Sequence, residues 1–425
     1  MQIIKYPSRE DWDKIIARPA FDHSHLFDTV KNILEDVRLN GDKAVAAYSE
    51  KFNQSILEHF VVTPAEMNEA EKNISETLKE AIRIASDNIE TFHRSQQIIP
   101  QKIKTMHGVL CWQKAVGIEK VGLYIPGGTA PLFSTVLMLA IPARIAGCRE
   151  IILCTPPAKN GTVHPAILYA AHQTGVGKIF KIGGIQAIAA MTYGTKTVPK
   201  VFKIFGPGNQ YVTAAKQLVA MRDVAIDMPA GPSEVEIIAD ETATPAFIAA
   251  DMLSQAEHGA DSQAILVTVC EEIIDKVVVE IEQQLNELPR KDLIKQSLQH
   301  SRILVLKNQN EIVDFTNAYA PEHLIIQTKD DHALAEQVTN AGSVFLGHFT
   351  PESAGDYASG TNHTLPTNGY ARMHSGVNLD SFVKKITFQE ISQAGIRNIG
   401  PAIETMAQAE LLQAHSNAIS LRLKV

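Results

Sequence analysis

The chain has 425 residues, of which 45% are hydrophobic, and its formal net charge is −8. This length exceeds the usual size of one hydrophobic core, so we expect two or more units, and the apolar fraction excludes a disordered or collagen-like chain. Because the chain is acidic and has no Lys/Arg run longer than a pair, we expect neither nucleic acid nor a membrane surface as a partner.

Three features predict a cytoplasmic location. The first ten residues, MQIIKYPSRE, are too polar for a signal peptide. The longest clean apolar run, Val136 to Ile141, is far shorter than the ~20 residues that cross a bilayer. The four cysteines have no CxxC spacing, which favours buried thiols in a reducing compartment; they are Cys111, Cys148, Cys154 and Cys270.

The pattern along the chain changes from helical to alternating. The first hundred residues predict helices, including a capping box at Thr63–Glu66 with proline at the first helical position. From about Lys120, β-rich runs alternate with helical segments, as in parallel βαβ units. A first series contains GLYIP, EIILCTP, KIFKIG and KVFKIF. After DMPAGPSEV, a second series contains VEIIAD, AILVTV, RILVL, LIIQT and SVFLG.

This order predicts an α/β fold with two Rossmann-like parallel-sheet units and helical N-terminal and C-terminal segments. We expect an arm over 1–20, a first α/β domain from 21–120 with 234–377, an inserted Rossmann-like domain over 121–233, and a helical tail over 378–425. Gly347 to Gly376 has no clear periodicity, and its Asp356, His363 and dense Gly/Asn turns favour a functional loop.

The stretch SQAEHGADSQ is a candidate metal site. It places Gln255 and His258 three residues apart on a helix that we expect from Pro245 to His258, before a stop at Gly259. An amide oxygen and an imidazole at a helix C-terminus suit a divalent cation. Taken alone, however, the stretch is more often a capping histidine beside a solvated glutamine. Further donors must come from elsewhere, and Asp356 and His415 are the candidates.

Together these donors offer oxygen and nitrogen without thiolate, which fits Zn²⁺ with open positions, although Mn²⁺ or Co²⁺ would also fit. Glu410 lies five residues before His415, about 140° away on an ideal helix. The two side chains therefore touch different parts of a ligand, or the helix is distorted between them.

Two further motifs carry candidate chemistry. Pro321 should extend the chain, so Glu322 and His323 are expected outside regular strand pairing, either as a proton-transfer pair or as ordinary loop residues. The turns YIPGGTAP, GGIQA and FGPGNQYV can bring backbone N–H groups to an anionic ligand, or can serve packing alone. None spells GxGxxG. Ser233, in MPAGPSEV, could meet a substrate or cap a turn.

Seven motifs in order, from about Lys120 to the C-terminus, resemble the histidinol dehydrogenase family: VGLYIPGG, FGPGNQYV, DMPAGPSEV, SQAEHGADSQA, YAPEHL, GSVFLGHFTPESAGDYASGTNHTLPT and ELLQAHSNAI. The resemblance implies that Gln255, His258, Asp356 and His415 bind one zinc ion per subunit, with the last ligand from the partner subunit of a homodimer, which the C-terminal tail contacts. It also implies that Ser233, Glu410 and His323 hold L-histidinol with the metal ligands, and that Tyr124, Gln186 and Asn209 line an NAD site.

The implied reaction is a four-electron oxidation of L-histidinol to L-histidine through histidinal, in two hydride transfers to NAD. Glu322 and His323 would be the catalytic residues: we assign the alcohol proton to His323 and the activation of water to Glu322. Zinc would orient the substrate through its nitrogens. A zinc hydrolase using the same site is the alternative, although HExxH is absent, and a non-catalytic binding module is a third hypothesis.

Overall fold

The computed structural model describes residues 1–18, 24–55, 59–127, 130–229 and 231–424. Gly128 and Thr129 of the first glycine-rich turn, and Ala230 of MPAGPSEV, lie outside the described residues. Within these ranges, no helix combines the length and the apolar character that a membrane span requires.

In its described residues, the N-terminal segment contains one strand and five α-helices: β1 (Gln2–Lys5), α1 (Trp12–Ile15), α2 (Ser24–Asn40), α3 (Asp42–Asn53), α4 (Pro64–Lys72) and α5 (Glu76–Arg94). The strand corrects the prediction of helices alone; its parallel partner is Arg302–Val305, too distant for local sequence patterns to reveal. The capping box is confirmed, because the Glu66 N–H donates to Thr63 Oγ1 at 3.2 Å and the Thr63 N–H donates to Glu66 Oε2 at 2.7 Å.

Two strands, β2 (Ile103–Met106) and β3 (Val109–Gly117), precede the first α/β unit. That unit consists of β4 (Lys120–Tyr124), α6 (Phe133–Ile145), β5 (Glu150–Cys154), α7 (Pro165–Gln173), β6 (Lys178–Phe180), α8 (Gly184–Tyr193), β7 (Lys203–Phe205), α9 (Gln210–Ala220) and β8 (Ala225–Ile226). Its five strands are parallel, in the order β6-β5-β4-β7-β8. The helices α2 to α5 pack on α6 to α9 of this unit. The division into domains predicted above stays a prediction.

The second α/β unit consists of β9 (Glu234–Ala239), α10 (Pro245–Ala256), β10 (Gln263–Thr268), α11 (Ile274–Glu287), α12 (Lys291–Ser297), β11 (Arg302–Val305), α13 (Gln309–Tyr319), β12 (His323–Gln327), α14 (Asp331–Ala335), β13 (Ser343–Leu346) and α15 (Glu352–Tyr357). Its sheet is also parallel, in the order β1-β11-β10-β9-β12-β13. The two Rossmann-like parallel sheets of the predicted fold class are thus confirmed. The long segment expected to lack periodicity contains a short helix, α15, and α10 ends at Ala256, two residues before the predicted end.

The C-terminal segment contains β14 (Val383–Ile391), α16 (Gln393–Ala409) and α17 (Gln413–Leu423). The prediction of a purely helical tail was therefore wrong over Val383–Ile391. This strand pairs antiparallel with β3, which also pairs with β2, and Phe388 stacks on Trp112 with ring centroids 5.4 Å apart. The cross-strand contact explains why this stretch becomes a strand.

The four cysteines are free thiols. The prediction that they are buried is confirmed for Cys154 and wrong for Cys111, Cys148 and Cys270, which are partly exposed. Burial nevertheless raises the pKa of Cys148 to about 12, so its thiol stays protonated near neutral pH.

Candidate active site

Glu322 and His323 lie where α13 turns into β12. Ala320 has a φ of 53° and ends the helix, and Pro321 extends the chain. His323 is the first residue of β12 and pairs with Val235 and Ser343, so the expectation that it lies outside regular pairing was wrong. The prediction was based on the turn and missed the neighbouring strands, which extend the pairing to this residue.

The start of β9 holds both side chains of this pair. The backbone N–H of Glu234 donates to Glu322 Oε2 at 2.9 Å. The carbonyl oxygen of Glu234 lies 3.3 Å from His323 Nδ1. One residue of β9 thus contacts both Glu322 and His323 through its backbone.

Carboxylates surround the His323 imidazole. Its Nδ1 lies 3.6 Å from Glu322 Oε2 and 3.8 Å from Glu352 Oε1, and its Nε2 lies 3.7 Å from Asp356 Oδ1. Burial lowers the pKa of His323, but the negative charges of Glu352, Glu322 and Asp356 outweigh it and raise this pKa to about 10. Burial raises the pKa of Glu322 to about 7 and that of Glu352 well above its usual value. The cluster therefore holds groups that can exchange protons near neutral pH.

A cation would fit beside this cluster. His258 Nε2 lies 3.8 Å from Asp356 Oδ2, and one ligand atom each of His258, Glu352 and Asp356 lies within 4.8 Å of the others. Gln255 is fully buried, yet neither polar atom of its amide has a hydrogen-bond partner in the described part of the chain. Buried amides are costly to leave unsatisfied, so the Gln255 oxygen, the His258 imidazole and the Asp356 carboxylate fit a cation that binds oxygen and nitrogen donors.

Glu352 was missed by the sequence reasoning. Its side chain is fully buried, and neither carboxylate oxygen has a hydrogen-bond partner among the described residues. It lies four residues before Asp356, so α15 presents both carboxylates on one face. That spacing was a usable signal, but the segment was expected to be irregular.

The predicted NAD residues lie at the carboxyl ends of strands in the five-stranded sheet. Tyr124 ends β4, and its hydroxyl oxygen accepts a hydrogen bond from the Gly184 N–H at 3.0 Å, at the start of α8. Gln186 lies in the first turn of α8 and is buried. Asn209 caps α9, because its side chain accepts from the N–H groups of Tyr211 and Val212. This edge is where open parallel sheets bind nucleotides.

A cleft of about 790 Å³ has residues of both α/β units in its wall. Its wall includes Asn209 from the nucleotide side, Ser233 at the start of the second unit, and His258 from the cation side. A ligand in this cleft could therefore contact Asn209, Ser233 and His258 together.

Glu410 and His415 lie in the C-terminal segment, Glu410 directly after α16 and His415 in α17. The helix is interrupted between them, with Leu411 at a φ of 58°, which agrees with the distortion considered above. Both side chains are exposed on an arm whose helices, α16 and α17, pack on each other, while α16 also contacts β14 and β2. Leu411 on this arm is 89% exposed.

Comparison with known proteins identifies the family. A sequence model described as histidinol dehydrogenase matches residues 16–423. The chain is 64% identical over 423 residues to a histidinol dehydrogenase of Bacteroides thetaiotaomicron, covering 100% of this chain and 99% of the relative. It is 52% identical over 418 residues to that of Salmonella typhimurium, covering 98% and 95%.

A solved structure agrees with these relatives. The crystal structure of histidinol dehydrogenase from Elizabethkingia anophelis superposes with a TM-score of 0.97 at 54% identity, covering 100% of this chain and 98% of that chain. Sequence and fold thus give the same answer over nearly the full length. This chain belongs to the histidinol dehydrogenase family.

Proposed function

We propose that this protein oxidises L-histidinol to L-histidine through histidinal, with two NAD molecules as hydride acceptors, as a step of histidine biosynthesis. The observation that carries the proposal is the cleft that joins Asn209 to His258 and Ser233. It brings a residue of the nucleotide-binding edge and a candidate metal ligand into one space. Membership of the histidinol dehydrogenase family supports the substrate. The comparisons give no support to a zinc hydrolase.

Zinc would be held by Gln255, His258 and Asp356, with His415 of the partner subunit. The amide of Gln255, which is buried and has no hydrogen-bond partner among the described residues, supports this set. When bound, the ion would orient the substrate by binding its imidazole and amino nitrogens. Ser233 and Glu410 would add contacts to L-histidinol, and Tyr124, Gln186 and Asn209 would contact NAD.

His323 takes the alcohol proton in the first oxidation, and Glu322 activates the water that adds to the aldehyde. A base must be deprotonated, and the Glu322 pKa of about 7 leaves a carboxylate available near neutral pH. His323 needs a neutral imidazole, and the charge of a divalent cation beside Asp356 would offset the carboxylates that raise its pKa. Burial of the cluster also keeps the aldehyde away from bulk water.

The active form is a homodimer in the cytoplasm. Glu410 and His415 are exposed on the C-terminal arm and are not among the residues that line the cleft, which supports their assignment to the site of a second subunit. The exposed Leu411 and Met406 on the same arm would be covered by that contact. The free cysteines support a reducing compartment.

The test is an assay with the purified protein, L-histidinol and NAD. NADH is followed by its ultraviolet absorbance and histidine by chromatography, and we expect two NADH for each histidine formed. A chelator should abolish turnover, and added zinc should restore it. A protein that forms no NADH from histidinol would contradict the proposal, and hydrolysis of acyl substrates would then favour the hydrolase.

A further inference from the structure

Arg18 lies shortly after α1, and its side chain is buried against the second α/β unit. Its Nε donates to Glu234 Oε2, and its Nη2 donates to Glu234 Oε1, both at 2.8 Å. The two side chains are 10% and 1% exposed, so water screens this ion pair little. A bidentate contact fixes the orientation of a carboxylate as well as its position, which a lysine cannot do.

The same guanidinium also holds the turn at the end of α13. Its Nη2 donates to the carbonyl oxygen of Tyr319 at 2.5 Å, and its Cζ lies 3.9 Å from the centre of the Tyr319 ring. The next residue, Ala320, has a φ of 53°, a left-handed conformation that side chains with a Cβ rarely adopt without support. Arg18 therefore joins the start of β9 to the turn that precedes β12.

These two backbone segments hold the proton-transfer pair. Glu234 contacts Glu322 through its N–H and His323 through its carbonyl oxygen. The turn after Tyr319 leads directly into Pro321 and then into the pair. A shift of either segment would move Glu322 and His323 relative to the cleft, whereas Gln255, His258 and Asp356 lie on or next to other elements, α10 and α15.

We propose that Arg18 is a positioning residue for Glu322 and His323. It acts through Glu234 and the Tyr319 carbonyl. The inference rests on the proposed function, and it adds a residue from the N-terminal segment, which the motifs of the sequence analysis do not reach.

A buried ion pair also has a structural role, which the experiment must separate from positioning. Removing Arg18 alone leaves the Glu234 carboxylate buried without its partner, so the R18M variant should lose stability. The R18M/E234Q variant removes both charges and should recover part of that loss. It still lacks the bidentate contact and the donor to Tyr319, so its side-chain positions should remain disturbed.

The experiment compares the wild-type protein with the R18K, R18M and R18M/E234Q variants by steady-state kinetics, Tm and bound zinc. In R18K we expect kcat to fall about tenfold or more, since small displacements of reacting groups can cost about a hundredfold. KM for histidinol and for NAD should stay within about twofold, and bound zinc should not change. R18M/E234Q should have a higher Tm than R18M and a kcat that remains low.

The matched control is R144M. Arg144 pairs with Glu90 at 2.6 Å and joins α6 to α5, and among the described residues this pair has no contact with Glu234, Glu322 or His323, so its loss should change Tm and leave kcat at the wild-type value. A wild-type kcat in R18K, or in R18M/E234Q, would show that Arg18 is only structural and would overturn the inference. Wild-type turnover of histidinol is read first, because its absence would overturn the proposed function and this inference together.

Discussion

The two parallel sheets place their candidate residues at opposite ends. In the five-stranded sheet, Tyr124 and Asn209 lie at the carboxyl ends of β4 and β7. In the six-stranded sheet, Glu234 and His323 are the first residues of β9 and β12, so the carboxylate cluster lies at the amino ends. The usual rule for open α/β sheets, which places ligands at carboxyl ends, thus describes one unit and not the other.

Helix polarity explains the difference. α8 and α9 begin at the carboxyl ends of their strands, where free N–H groups favour anions such as a pyrophosphate. α10 and α13 end near the amino ends of β10 and β12, where free carbonyl groups favour cations. The same fold type therefore offers an edge suited to a nucleotide and an edge suited to a cation, and the cleft lies between them.

The H258N variant tests the cation edge, and it should have the largest effect. We expect a fall of more than about a hundredfold in zinc affinity and a matching loss of turnover, because even residues that only support a ligand change metal affinity by about 10- to 100-fold. Elemental analysis and the histidinol assay measure both, and NAD affinity should not change. H300N is the control, since His300 lines the same cleft without being a predicted ligand. Retained zinc in H258N would contradict the assignment.

Mixing inactive variants tests whether the cation edge is completed by a second subunit. After H258N and H415N subunits are exchanged, half of the random dimers are mixed, and each mixed dimer contains one intact site. About a quarter of the wild-type activity should therefore return. H258N mixed with D356N is the control, because each site would then keep one defective ligand. Activity that does not return in the first mixture would mean that His415 acts within its own chain or not at all.

The N209A variant tests the nucleotide edge. Loss of the side chain that caps α9 should destabilise the protein by about 1 kcal/mol. It should also raise KM for NAD by about tenfold, which is roughly the binding free energy of one lost hydrogen bond. Bound zinc should not change. N308A removes an equivalent cap, that of α13, and should cost similar stability without changing KM for NAD. An equal KM effect in both variants would refute a role for Asn209 in the NAD site.

The E236Q variant should have the smallest effect on activity, because Glu236 belongs to no predicted site and its loss should change stability alone. Burial raises the pKa of Glu236 to about 8, although its carboxylate accepts a hydrogen bond from Thr316 at 2.6 Å. The folded chain therefore binds a proton that the unfolded chain releases, so stability should fall as pH rises from about 5 to about 8. In thermal melts between pH 5 and pH 8, Tm should fall less steeply with rising pH in E236Q than in the wild type. The control is E80Q, on the exposed face of α5, which should leave the dependence of Tm on pH unchanged over this range. An identical slope in E236Q would contradict the raised pKa.

Local patterns in the sequence predicted the parallel sheets, the capping box and two pairs of neighbouring candidate site residues. The spacing of Gln255 and His258 depends on one helix, and the Glu322–His323 pair is contiguous, so both could be found without knowledge of the fold. The convergence of Asp356 with His258 depends on how α15 packs against α10, which only the folded chain shows.

Other features depended on distant partners. β14 becomes a strand because β3 lies beside it, more than two hundred residues earlier, and local patterns do not record that pairing. Arg18 is similar: in the sequence it is one arginine near the N-terminus, and its role emerges only where Glu234 and Tyr319 meet it. Motif resemblance identified the family, whereas such contacts required the structure.

The pairing of β1 with β11 has a consequence for biosynthesis. β1 leaves the ribosome about three hundred residues before its partner strand β11 is translated. Meanwhile α2 to α5 can already pack on the five-stranded unit, since every strand of that sheet precedes residue 230. We therefore expect co-translational folding to complete that unit first. Until β11 has been translated, β1 stays unpaired, and its free backbone groups can pair with other nascent chains.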